Sequence, residues 1–269
     1  MRVALGVEYD GSAYCGWQSQ PDGRTVQDVL QNALSRIACE PIKVIAAGRT
    51  DTGVHAIEQV VHFDTTATRA VMAWVRGANA LLPPGVAVLW AHEVADEFHA
   101  RFSAQARSYR YNIFCRPVRS ALQQGKVGWF HLPLDVSQMR VAAEMLLGEH
   151  DFSAFRASEC QAKSPIKNIA QINIRQENGL ITLELTANAF LHHMVRNIVG
   201  CLVYVGKGKH PPEWMLQVLA SRQRSQAAPT FSPDGLYLSY IHYDAKWGLP
   251  QTTLGTSKNP NSVAILRYS

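Results

Sequence analysis

The segment Ala46-Ala47-Gly48-Arg49-Thr50-Asp51-Thr52-Gly53-Val54-His55 crowds an arginine, an aspartate and two threonine hydroxyls between glycines. A carboxylate held on such a turn can attack as a nucleophile or remove a proton as a base. The same residues also suit a plain β-turn, in which Asp51 caps local amides and Arg49 stays solvated. No lysine follows the glycines as in a phosphate-binding loop, so nucleotide cradling is disfavoured. Two further stretches, Phe98-His99-Ala100-Arg101-Phe102-Ser103 and Arg107-Ser108-Tyr109-Arg110-Tyr111, set aromatics among cations. That mixture stacks on bases and neutralises phosphates. On a strand it sends Arg107, Tyr109 and Tyr111 to one face and Arg110 to the other. Finally, Arg196 stands in an apolar run with Met194, Val195, Ile198 and Val199, where a cation needs an anion. Read as helical, His192 and His193 cannot both face one metal, and H-E-x-x-H is absent, so no metal site is expected.

These groups need elements to hold them. Val3, Leu5, Val7 and Tyr9 alternate as a half-buried strand, and turn formers fill the chain to Arg24. Thr25 and Asp28 resemble a capping box for a helix whose apolar face runs from Val26 to Ile37. Strand character over 42–47 and 57–64 brackets the Asp51 turn. A helix over 71–82 stops at Pro83-Pro84-Gly85, and 86–94 reads as a strand. A similar order follows: strand 109–115, helix 136–147 capped by Asp135, strands 166–175 and 180–186, and a helix from about Phe190. Pro211-Pro212 opens a helix to about Arg222, and 236–243 is a last strand. The expected division is an α+β half over 1–105 carrying the Asp51 turn, a second over 106–244, and a loosely held polar tail over 245–269. The loose repetition of elements suggests structural duplication, and the absence of a fixed period excludes a solenoid.

At 269 residues and 47% hydrophobic, the chain can bury a substantial core. Its 26 Lys and Arg against 21 Asp and Glu favour a polyanionic partner. Five scattered cysteines with no C-x-x-C pair read as reduced thiols of a cytoplasmic protein. No stretch offers eighteen uncharged apolar residues, so neither a membrane span nor export is expected.

Taken together, the motifs resemble the tRNA pseudouridine synthase A family, and closely its bacterial members. The resemblance rests on Tyr9-Asp10-Gly11-Ser12-Ala13-Tyr14-Cys15-Gly16-Trp17-Gln18 with Thr25-Val26-Gln27, and on Gly48 through Ala56. His99-Ala100-Arg101-Phe102-Ser103, Arg107-x-Tyr109-x-Tyr111, Gly148-x-His150-Asp151-Phe152, His193 through Gly200, and Ala228-Pro229 with Gly235-Leu236-Tyr237-Leu238 follow in the family's order. Ala187-Asn188-Ala189-Phe190 departs from the Gly-rich approach common in that family. The resemblance implies Asp51 as catalytic aspartate, Tyr109 as the aromatic packing on the target base, and Arg196 as the cation holding Asp51. Arg49, Thr50, Arg101, Arg107, Arg110 and His193 become the expected substrate contacts. It also implies two pseudo-symmetric α+β halves whose antiparallel sheets join across a central catalytic cleft, with helices packed on one face. The implied reaction is uridine isomerisation in the anticodon stem-loop of tRNA by a homodimer, with no metal or organic cofactor. A non-catalytic RNA-binding module and a hydrolase using Asp51 to activate water are the competing readings.

Overall fold

The computed structural model describes residues 1–250. In chain order its main elements are β1 (Arg2–Tyr9), α1 (Val26–Ala38), β2 (Ile45–Ala46), β3 (His55–Asp64), α2 (Val71–Leu81), β4 (Val86–Val94), β5 (Ala104–Cys115) and β6 (Gly128–Phe130). There follow α3 (Val136–Glu144), β7 (Gly148–Asp151), β8 (Ile166–Glu177), β9 (Leu180–Ala187), α4 (Met194–Gly206), α5 (Trp214–Ser221) and β10 (Leu236–Tyr243). Two compact units divide them: Met1–Gln105 with the chain from Leu238 onward, and Ala106–Tyr237. The final strand therefore lies mostly with the first unit, not with the second half to which 106–244 was assigned.

In the first unit the strand order is β4-β1-β3-β10, with β2 paired to β3 and β1 antiparallel to both β3 and β4. Thr25 caps α1 as its spacing predicts, its side chain accepting from the amide of Asp28. The helix buries Val26, Leu30, Ala33 and Leu34. β1 departs from the half-buried expectation: Val3 through Val7 are all buried, because the strand has a neighbour on each side and cover on both faces. Trp90 belongs to that cover, since a Cβ on Gly6 would lie 2.2 Å from its Nε1. That Trp90 nitrogen donates to the buried Glu58 at 3.1 Å. Burial pushes the Glu58 carboxyl up to about 7, and the hydrogen bond from Trp90 only partly opposes it. The strand expected over 42–47 shrinks to Ile45–Ala46. Of the tail expected to hang loosely, Trp247 packs edge-on against Phe98 at 5.3 Å, and the rest, from 251, lies outside the described residues.

The second unit orders its strands β5-β9-β8-β7, each pair antiparallel, with β6 running parallel beside the end of β5. α3 is capped by Asp135, which accepts from the amides of Ser137 and Gln138, but it ends at Glu144, short of the expected 147. α4 begins at Met194, later than the expected Phe190. His193 adopts a left-handed backbone, φ 62°, which no continuing right-handed helix allows. α4 packs against α3 and buries eleven of its thirteen residues, including Asn197, whose amide donates to the carbonyl of Phe155.

Candidate active site

Asp51 sits on the turn between β2 and β3, half-buried, where the amide of Val54 donates to the Asp51 carbonyl at 3.1 Å. Gly53, at φ 79°, supplies the left-handed step that the turn needs. Several contacts from distant residues pin this loop. The Trp17 amide donates to the Thr50 carbonyl at 3.0 Å, and the Tyr9 hydroxyl lies 2.7 Å from Oγ1 of buried Thr50. Nε2 of Gln59 donates to the Gly48 carbonyl at 2.7 Å, and the Gly11 amide donates to Nδ1 of buried His55 at 3.1 Å. The approach is close enough to exclude side chains. A Cβ on Gly11 would lie 2.0 Å from the Val54 carbonyl oxygen, and one on Gly16 would lie 2.8 Å from that of Thr50. The turn is thus wedged between the 10–18 segment and β3, which fixes the backbone carrying Asp51.

Arg49 and Arg101 are exposed on the same unit, whereas Thr50 is buried with Tyr9 as its partner and serves the loop's geometry. Phe102, beside Arg101, is 75% exposed, stacks on the His99 ring at 4.3 Å and lies under the Arg101 guanidinium.

In the second unit, Tyr109 lies half-buried on β5, opposite Leu185 of β9, with its ring edge-on to Phe190 at 4.9 Å. Arg107 on the same face donates to the carbonyl of Asn188 at 3.1 Å. Asn188 in turn accepts from the amides of Asn168 and Ala189, so the departing Ala187–Phe190 stretch is ordered by its own side chain. Arg110 does point to the opposite face, as the alternation requires. It is buried there against Glu184, N to O 3.0 Å, with Arg175 on the other carboxylate oxygen at 3.4 Å. Its charge thus serves cross-strand pairing, which corrects its expected place among the outward substrate contacts. Arg196, half-buried in the first turn of α4, donates through Nε to the Phe231 carbonyl at 2.9 Å, and the Phe231 amide returns a bond to the Arg196 carbonyl. One nitrogen of the guanidinium is therefore committed to aiming the group. The rings of His192 and His193 lie 4.1 Å apart, tilted by 38°, ahead of the helix, so the expectation drawn from helical geometry does not apply to them.

The pinning residues Tyr9, Gln59 and Phe231 carry no role in the motif reading. A family model described as tRNA pseudouridine synthase matches residues 6–103 and 142–244. The chain belongs to the tRNA pseudouridine synthase family. Curated relatives agree over the full length. A tRNA pseudouridine synthase A from Nitrosomonas eutropha is 56% identical across 100% of this chain and 98% of its own. One from Burkholderia mallei is 57% identical across 95% of each. Among solved structures, a Cbf5-Nop10-Gar1 complex is 12% identical over 88% of this chain and 48% of its own, at a TM-score of 0.39. Within the family match fall the wedged Asp51 turn, Arg196 and the residues that clamp or aim them; Tyr109 lies between its two matched segments.

Proposed function

We propose that the chain isomerises uridine to pseudouridine in tRNA, with Asp51 acting at the sugar, Tyr109 packing on the target base and Arg196 partnering the aspartate. The observation that carries this reading is the clamp on the Asp51 turn, because a carboxylate that must meet one sugar atom needs a backbone that does not wander. The reaction breaks the N1–C1′ bond, turns the uracil and rejoins it through C5, with one proton leaving C5 and one taken up at N1. No atom is imported and no net redox occurs. Asp51 can attack C1′ or remove the 2′ proton, and both routes require the ionised carboxylate. The Phe231 bond holds the Arg196 guanidinium in one orientation, which suits it to the planar recognition of a carboxylate. Extracting the base from its stack costs a few kcal/mol, which contact with an aromatic ring partly offsets. Arg49, Arg101, Arg107 and His193 remain as the proposed contacts to RNA. The anticodon stem-loop as target, a homodimer spanning the tRNA and a cytoplasmic location belong to the same reading.

Nucleoside analysis of tRNA treated with wild type and Asp51→Asn tests it. Wild type should yield pseudouridine, and the variant, equal in size but uncharged, should yield none while keeping most of its tRNA affinity. Free uracil from the wild type would point to a hydrolase, tight binding without product to a recognition module. The active species should sediment near twice 29.8 kDa, and a fully active monomer would remove the two-subunit arrangement.

A further inference from the structure

The corner between α4 and α5 gathers cations and flat rings that the clamp and the proposed site do not use. Lys207 and Lys209 both hold their ammonium groups over the ring of Tyr204, at 4.1 Å and 4.2 Å from its centroid. Beside them His210 stacks on Trp214 at 4.1 Å, with the planes only 17° apart, and both rings lie near parallel to Tyr204 at 6.2–6.3 Å. Among the described residues neither lysine has a carboxylate in ion-pair range, and both are exposed. Burial, and then the two ammoniums, hold His210 below its ordinary value. Two like charges converging on one ring without a counter-ion repel each other, and an anion between them reverses the sign of that interaction. The C-terminal end of α4 favours cations too, but that accounts for neither the second lysine's grip on the ring nor the stacked plates beside it.

We propose that Tyr204, Lys207, Lys209, His210 and Trp214 form a second RNA-binding site, which takes a backbone phosphate of the tRNA between the lysines and lays a ribose or base along the rings. Cations interleaved with aromatics recognise single-stranded or backbone features of RNA irrespective of sequence. Lys207 follows Arg196 by eleven residues. At 1.5 Å per residue it stands about 16 Å further along the helix, too far to touch the same nucleotide. The site therefore adds affinity and orientation, not chemistry, and it rests on the tRNA reading above.

The test compares wild type with K207A/K209A and K207R/K209R, using full-length tRNA. Binding is followed across a salt series, and single-turnover rates are taken at saturating enzyme. The alanine pair should weaken tRNA binding on the order of ten-fold and lower the log–log salt slope by about one, with the saturated rate unchanged. The arginine pair should restore both. Unchanged affinity and slope in an active wild-type background would overturn the second site and leave the isomerase reading intact, whereas an inactive wild type would sink that reading instead. A lower melting temperature with unaltered binding would reduce the lysines to helix-end neutralisers. A changed oligomeric state with unaltered tRNA affinity would assign the corner to protein contact and equally refute the proposal.

Discussion

Tyr109 combines two abilities that substitution can separate. Its ring can pack on uracil, and its phenol can exchange the proton that leaves C5 once the new bond has formed. The edge-on contact with Phe190 fixes the ring plane whichever ability matters. If packing alone counts, Tyr109→Phe should turn over near the wild-type rate and Tyr109→Leu should lose roughly 1–3 kcal/mol of base contact. If the hydroxyl relays the proton, the Phe variant should slow by about 10²–10⁴-fold in single-turnover kinetics and accumulate a C-linked product still protonated at C5. Wild-type behaviour from both variants would make Tyr109 an ordinary packing residue. Glu58 offers a residue-scale test of a different kind. Its folded value of about 7 lies above the ordinary 4.5, so between those pH values the native protein holds a proton that the unfolded chain has released. The stabilisation is therefore complete below about pH 4.5 and is lost as pH rises through 7. Glu58→Gln, able to keep the bond from Trp90, should gain on wild type as pH climbs, by a few kcal/mol at pH 8. Parallel melting curves at pH 5 and pH 8 would show that the carboxyl is charged in the fold.

The elements show how far local rules reach. Caps and proline stops were legible because their chemistry lies within four residues: Thr25 with Asp28, Asp135 with Ser137 and Gln138, and the close of α2 before Pro83. The start of α4 was not, since a histidine in a left-handed conformation leaves no trace in hydrophobic spacing. Arg110 pairs with Glu184 across 74 positions, and period two alone could give its face but not its partner. The motifs point to Asp51, Tyr109 and Arg196 as the proposed catalytic set, whereas they give no sign of the clamp, because it depends on Gly11 and Val54 meeting across β1 and β3. That clamp yields an element-scale prediction. Gly11→Ala must displace the Val54 backbone, and an ångström-scale shift of the carboxylate should lower kcat by about 10²-fold, with a smaller effect on KM. Wild-type kcat in a folded Gly11→Ala protein would mean that the loop yields without moving Asp51.

For the molecule as a whole, the excess of 26 Lys and Arg over 21 Asp and Glu predicts binding governed by counter-ion release. Affinity for tRNA should fall steeply with salt, at a log–log slope near −0.9 for each duplex phosphate neutralised. A flat profile would point to a small, weakly charged substrate. Among the described residues no helix is long and apolar enough to cross a membrane. The return of β10 to the first unit also sets an order of events during synthesis. β3 takes β10 as a sheet neighbour, so the strand that follows the Asp51 turn keeps a raw edge until the ribosome has made nearly the whole described chain. The strands β5 to β9 of the second unit are all made before β10. A nascent chain stalled before residue 236 would thus carry every residue assigned to catalysis together with an unpaired strand edge, the kind of surface that draws in chaperones or a neighbouring chain.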